Sequence, residues 1–156
     1  MLPRTLGLAA FVVLLDQLSK WFILAVVMAP PRAIEVTGFF NIVLAFNRGV
    51  SFGMLSGHGG WKPYLLAALA LAVVAGLLYW VRRQGGWAPA VSVGLIVGGA
   101  IGNIVDRFVH GAVVDFLDFH LADWHWPAFN LADSAIFCGV ILLLADSLFG
   151  SSHDDT

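Results

Sequence analysis

Four stretches of the chain are apolar for about the length of a bilayer crossing, and the segments between them are not. They are residues 6–28, 64–81, 87–105 and 131–149, and a transmembrane helix needs roughly 20 mostly apolar residues. The stretch 64–81 carries no charge and closes on Tyr79-Trp80, a pair suited to a membrane–water interface. In 87–105, Gly94, Gly98 and Gly102 recur every four residues, a spacing that lets helices approach closely. Asp16 and Lys20 interrupt the first stretch four residues apart, so they share one helix face and can pair. That pair reads either as a neutralised couple facing other helices or as a brace for a polar site.

The connecting segments have their own patterns. Pro30-Pro31 stops the first helix, and Ile34, Val36, Phe40, Ile42, Leu44 and Phe46 then recur at every second residue with a break at Gly38. That is strand periodicity, and it predicts a small β-rich lobe over residues 32–60 on the membrane face. A Gly-rich turn is expected at Ser56–Gly60. Residues 108–130 read as a loop that returns to the same side, with Phe116, Phe119, Trp124, Trp126 and Phe129 suited to the lipid headgroups. The expectation is an integral membrane protein, mainly α. It is a single four-transmembrane-helix bundle over 1–156 with a small β-rich extracytoplasmic lobe between helices 1 and 2.

Composition agrees. Of 156 residues 60% are hydrophobic and 12% charged, a surface no soluble domain of this length could cover. A net charge of -2 argues against a nucleic-acid partner, which would want a basic face. The single cysteine, Cys138, excludes an intramolecular disulfide and reads as a small core hydrophobe. Arg82 and Arg83 in the short second turn, with Arg4 near the start, favour both termini inside by the positive-inside rule.

Candidate chemistry concentrates between Gly98 and Asp133. Asp115 and Asp133 sit near one membrane boundary on the two sides of a single loop, where charge is costly and so points to function. Two carboxylates at one depth can share a proton and do acid–base work on water, which predicts an aspartyl protease pair. Asn103 and Arg107 lie one turn apart on a shared face. Asn130, three before Asp133, reads equally as a helix cap. Asp106 beside Arg107 reads as a neutralised pair, and Asp118 and Asp123 as solvated loop charges. His110, His120 and His125 crowd the same loop, but no H-E-x-x-H or other zinc spacing is present, so no metal is expected. Gly49-Val50-Ser51-Phe52-Gly53 fits G-x-S-x-G, yet a serine nucleophile elbow needs an α/β-hydrolase sheet this chain has no room for.

Five blocks in order then resemble the lipoprotein signal peptidases (signal peptidase II), a bacterial family of inner-membrane aspartyl proteases. They are Asp16-Gln17-Leu18-Ser19-Lys20; Phe46-Asn47-Arg48-Gly49 with Ser51-Phe52-Gly53; Gly98 to Arg107; Gly111-Ala112-Val113-Val114-Asp115-Phe116; and Phe129-Asn130-Leu131-Ala132-Asp133-Ser134. The resemblance implies that Asp115 and Asp133 are catalytic. It implies that Asp16, Lys20, Asn47, Gly99, Asn103, Arg107 and Asn130 bind substrate or support the pair. The implied substrates are prolipoproteins carrying diacylglycerol on a lipobox cysteine, cut just before that cysteine. No metal or organic cofactor is implied, and the cyclic peptide globomycin is the implied inhibitor. The protein would be a monomer in the bacterial inner membrane, among membrane lipids, N-in and C-in, with the active site facing outward.

Two rival classes remain. A proton- or ion-coupled transport module would use Asp16, Lys20 and Asp133 as its relay, but the chain has no internal repeat and only four spans. A non-catalytic assembly subunit would use the glycine-spaced third span as its partner face.

Overall fold

The computed structural model describes residues 1–49 and 61–149, so the G-x-S-x-G match beyond Gly49, the Gly-rich turn at Ser56–Gly60 and the tail Ser151–Thr156 lie outside the described residues. Four helices carry the fold: α1 (Leu2–Phe22), α2 (Lys62–Val81), α3 (Trp87–His110) and α4 (Leu131–Phe149). A π-helical turn, Ile23–Val27, extends α1. All four are long and apolar enough to cross a membrane, α1 together with that turn.

Helix α3 is the central one. It packs against α1, α2 and α4, and 72% of its most apolar window is buried, against 11–22% in the other three. Its glycines make this possible. A Cβ on Gly98 would lie 2.6 Å from Val12 Cβ and 2.8 Å from the Ala9 carbonyl oxygen, so only glycine lets α1 come this close. On another face, a Cβ on Gly99 would collide with the Ala132 carbonyl oxygen of α4. Ala9, Val74, Val81, Val93 and Val97 form the apolar core between α1, α2 and α3. Outward, Leu14, Leu18, Leu69, Val73, Leu144 and Leu148 are exposed, as lipid-facing side chains are.

The expected third span, 87–105, continues as helix to His110. Polar Asn103, Asp106 and Arg107 hide that continuation from a hydropathy reading, because their partners are protein groups rather than lipid. Gly111 ends the helix at φ +69°, a left-handed conformation glycine adopts without strain, and its N–H returns to the Arg107 carbonyl.

The lobe is an antiparallel sheet, β1 (Ile34–Thr37), β2 (Phe40–Asn47), β3 (Val113–Leu121) and β4 (Trp124–His125), in that order. Half of it comes from the segment expected as a loop. Asp115, Asp118 and His120 break the apolar alternation of β3 and conceal the strand. Its register on β2 pairs Asn47 with Val113 and Ala45 with Asp115. Ile23, Met28 and Phe116, with Ile34, Ile42 and Leu44 around them, pack the sheet onto the end of α1. The chain entering α4 is tied back to β3, for Phe116 and Leu117 donate to the Phe129 carbonyl and Phe129 N–H donates to the Leu117 carbonyl.

Candidate active site

That last tie brings Asn130 to Asp115. Phe129 is held on β3 beside Phe116 and Leu117, so the next residue arrives at the strand and then starts α4. Asn130 is fully buried, and its side chain serves both aspartates. Its Nδ2 donates to Asp115 Oδ1 at 2.7 Å, to the Val114 carbonyl at 3.2 Å and to Asn103 Oδ1 at 3.2 Å. Its Oδ1 accepts the Asp133 N–H at 2.9 Å, while Asp133 Oδ2 accepts the Asn130 N–H at 3.2 Å. The reciprocal pair is a capping box that starts α4 and fixes Asp133 in its first turn.

Asp133 also accepts Asn103 Nδ2 on Oδ1 at 2.8 Å, so both its oxygens receive hydrogen bonds. It stands in the first turn of α4, where the helix dipole favours negative charge. Asp115 differs. It is 2% exposed, and burial pushes its carboxyl up to about 6; hydrogen bonds from Asn47 and Asn130 and the charge of Lys20 oppose that rise, while nearby Asp133 adds to it. Two carboxyl groups in electrostatic contact, one of them buried so that its protonated form is favoured, can share a proton for acid–base work on a bound water.

The other sequence candidates divide by location. Asn103 (buried) hydrogen-bonds Asp133, and the Asn47 side chain hydrogen-bonds Asp115. Asn47 Oδ1 also accepts the Gly49 N–H at 2.8 Å. Arg107 is within electrostatic reach of both aspartates; its Nη1 donates to the Asn103 carbonyl at 3.0 Å, and its buried Nε has no acceptor among the described residues. Gly99 has no side chain to contribute and instead admits Ala132 of α4. Asp16 and Lys20 are 0% and 2% exposed, buried in the α1–α3 contact.

Asp106 does not pair with Arg107. It meets Lys20 at 2.8 Å in the α1–α3 contact, while Arg107 Nη1 bonds the Asn103 carbonyl and the charges of Asp133, Asp106 and Asp115 all act on the guanidinium. Sequence reasoning also passed over Gln17, whose Nε2 donates to Asp106 Oδ1 at 2.9 Å. The available signal was the run Gly99, Gly102, Asn103, Asp106, which recurs at three and four residues along one face of α3.

Asp118 is not a solvated loop charge either. It is 6% exposed and takes hydrogen bonds from Asn41 at 3.0 Å and His125 Nδ1 at 2.9 Å. Its burial disfavours charge, but those two partners and the histidine charges outweigh it and hold its carboxyl below the ordinary range. His120 stacks on His125, with ring centroids 5.0 Å apart. Among the described residues no three His, Cys, Asp or Glu side chains converge as ligands for a metal ion.

Comparison with known proteins adds to the geometry. The profile of the signal peptidase (SPase) II family matches residues 8–149. The lipoprotein signal peptidase of Paraburkholderia phytofirmans is 48% identical over 144 residues, 92% of this chain and 83% of that protein. That of Burkholderia vietnamiensis is likewise 48% identical, with 86% of it covered. A solved bacterial membrane enzyme superposes with a TM-score of 0.80 at 32% identity, over 97% of this chain and 91% of the other.

Proposed function

The chain belongs to the signal peptidase II family, a multi-span membrane protease family that removes signal peptides from lipoproteins, and on that footing we propose that it works through Asp115 and Asp133 as an aspartyl dyad. The observation that carries this reading is the single buried residue Asn130, whose side-chain amide donates to the Asp115 carboxylate and whose backbone N–H donates to the Asp133 carboxylate.

The hydrogen-bond polarity divides the work. Lys20 can only donate, so Asn103 turns its carbonyl oxygen to Lys20 and its amide to Asp133. Asp115, 2% exposed, carries the shared proton, which leaves Asp133 to act as the base. The pair titrates as a unit. Asp133 takes a proton from water as the water oxygen bonds to the scissile carbonyl carbon, and Asp115 gives its proton to the carbonyl oxygen. A neutral gem-diol forms. Asp133 then protonates the leaving nitrogen while Asp115 removes a gem-diol proton, the C–N bond breaks, and both carboxyl groups return to their starting states. Arg107 supplies positive charge beside them. Acid–base catalysis of this kind contributes roughly 10²–10⁴-fold in rate.

The substrate is a prolipoprotein bearing diacylglycerol on its lipobox cysteine, cut immediately before that residue. A diacylated chain cannot leave the bilayer cheaply, since each buried CH₂ contributes ~0.8 kcal/mol. The protease must therefore meet the bond at the interface, and the exposed Trp124 and Leu121 of the sheet, with Phe39 and Trp126 just beyond its strand ends, suit that depth. The enzyme acts as a monomer in the inner membrane with both termini in the cytoplasm and the sheet outside. It uses no metal or organic cofactor and is inhibited by globomycin-type cyclic peptides. The relay reading of Asp16 and Lys20 finds less support, because their side chains are closed onto each other at 2.7 Å.

The test is cleavage of a lipidated and an unlipidated precursor by the purified protein, read by mass spectrometry. The expected product begins with diacylglyceryl-cysteine and appears only from the lipidated precursor. A cut at any other bond, or equal cleavage of both precursors, removes the substrate assignment.

A further inference from the structure

A second polar cluster lies between α1 and α3, with Asp16, Lys20 and Asp106 buried and Gln17 half-buried, joined to the dyad by the Lys20–Asn103 hydrogen bond of 3.3 Å. Lys20 Nζ meets Asp16 Oδ2 at 2.7 Å and Asp106 Oδ2 at 2.8 Å. Gln17 Nε2 spans the same two carboxylates, at 3.1 Å and 2.9 Å, and reaches the Gly102 carbonyl at 3.3 Å. Two donors on adjacent turns of α1 thus tie one carboxylate of α1 to one of α3. Gly102 makes the room, since a Cβ there would lie 2.5 Å from Asp16 Oδ2.

What each carboxylate does with its remaining capacity is the informative part. Asp16 Oδ1 accepts the backbone N–H of Ala132 at 3.0 Å, and Asp106 Oδ2 accepts the backbone N–H of Val114 at 3.0 Å. Ala132 immediately precedes Asp133, and Val114 immediately precedes Asp115. Each clamped carboxylate therefore grips the backbone N–H of the residue just before one of the two aspartates. Stability alone is a poor account of such a cluster, because buried ion pairs cost desolvation and apolar replacements are often as stable or more so.

We propose that Gln17 and Lys20 are positioning residues for the reaction: by tying Asp16 to Asp106 they fix the Ala132 and Val114 amides relative to one another, and with them the separation of the two aspartyl carboxyl groups. The inference rests on the dyad reading. Misplacing reacting groups by about 1 Å can cost ~10²-fold, so a loosened clamp lowers turnover while leaving substrate capture, which occurs outside the cluster, nearly intact.

The experiment uses Gln17→Met, a neutral replacement of similar length that removes all three donated bonds, with Gln17→Asn as an amide too short to span both carboxylates. The monodisperse folded fraction of each is assayed on lipidated precursor beside Asp115→Asn and Asp133→Asn. The expected result is kcat reduced ~10–10²-fold with KM within about two-fold. Because neither Gln17 variant changes a charge, a moved alkaline limb of kcat/KM reports changed surroundings of Asp115, its separation from Asp133 among them. Separation weakens the repulsion that raises the Asp115 pKa, so the limb is expected at lower pH. Wild-type kcat and an unmoved limb in either folded Gln17 variant, even with a lowered Tm, overturn the clamp. Inactive aspartate variants beside such a result leave the dyad standing and remove the clamp alone, whereas active ones remove the dyad and the clamp with it.

Discussion

Asn130 does with one amide what two residues would otherwise have to do. Its oxygen caps the helix that carries Asp133, and its nitrogen reaches Asp115. Replacing it with alanine removes a cap, at about 1 kcal/mol of stability, and also frees Asp115, so turnover is expected to fall further than thermal stability would suggest. Asp115 makes the pH dependence predictable. Burial favours its protonated form, so the stability this carboxyl contributes is full below its ordinary range and is lost as pH rises through about 6. Activity that needs the shared proton is lost in the same direction, and kcat/KM is expected to decline through about pH 6 on its alkaline side. Asn47 opposes the rise in the Asp115 pKa, so Asn47→Ala is expected to move that limb to higher pH. A limb left in place would mean that the Asn47 hydrogen bond does not act on the titrating pair.

At the scale of the elements, α3 decides where everything else sits, and its small residues are the reason. Gly99→Ala sets a methyl against the Ala132 carbonyl of α4. Relieving the collision costs about 1–3 kcal/mol and shifts the helix that carries Asp133, so stability and turnover are expected to fall together. Thermal unfolding and kcat measured on the same preparation test this. The helices were legible in the sequence because lipid-facing runs are long and uninterrupted. The sheet was half legible. β1 and β2 alternate cleanly, while β3 carries Asp115, Asp118 and His120 among its apolar residues and reads as loop. The Lys20–Asp106 contact was not legible, because nothing local ties a lysine of α1 to an aspartate of α3, and the adjacent Arg107 offered a nearer but incorrect partner. Asp115, Asp133 and Asn130 stood out earlier, as polar groups at the edges of apolar segments.

For the molecule as a whole, three of the four helices long and apolar enough to cross a membrane have only 11–22% of their most apolar window buried, and the polar groups of the site gather where α3, α4 and the sheet meet. A bilayer would complete this arrangement by covering the helix flanks, and the proposed orientation sets the sheet at its outer face. With Cys138→Ser as background, Asp123→Cys in the exposed β3–β4 turn is expected to react with a membrane-impermeant maleimide added outside cells permeable only at the outer membrane. Gly85→Cys between α2 and α3 is expected to react only after lysis; the reverse pattern would invert the topology. The dyad is tested most directly by cleavage of a lipidated prolipoprotein by purified wild type, Asp115→Asn and Asp133→Asn, with chelator throughout. Wild-type turnover in chelator is expected, with a loss of ~10²–10⁴-fold or more in each folded variant. Near-wild-type cleavage by either variant would remove that aspartate from the chemistry and leave no dyad.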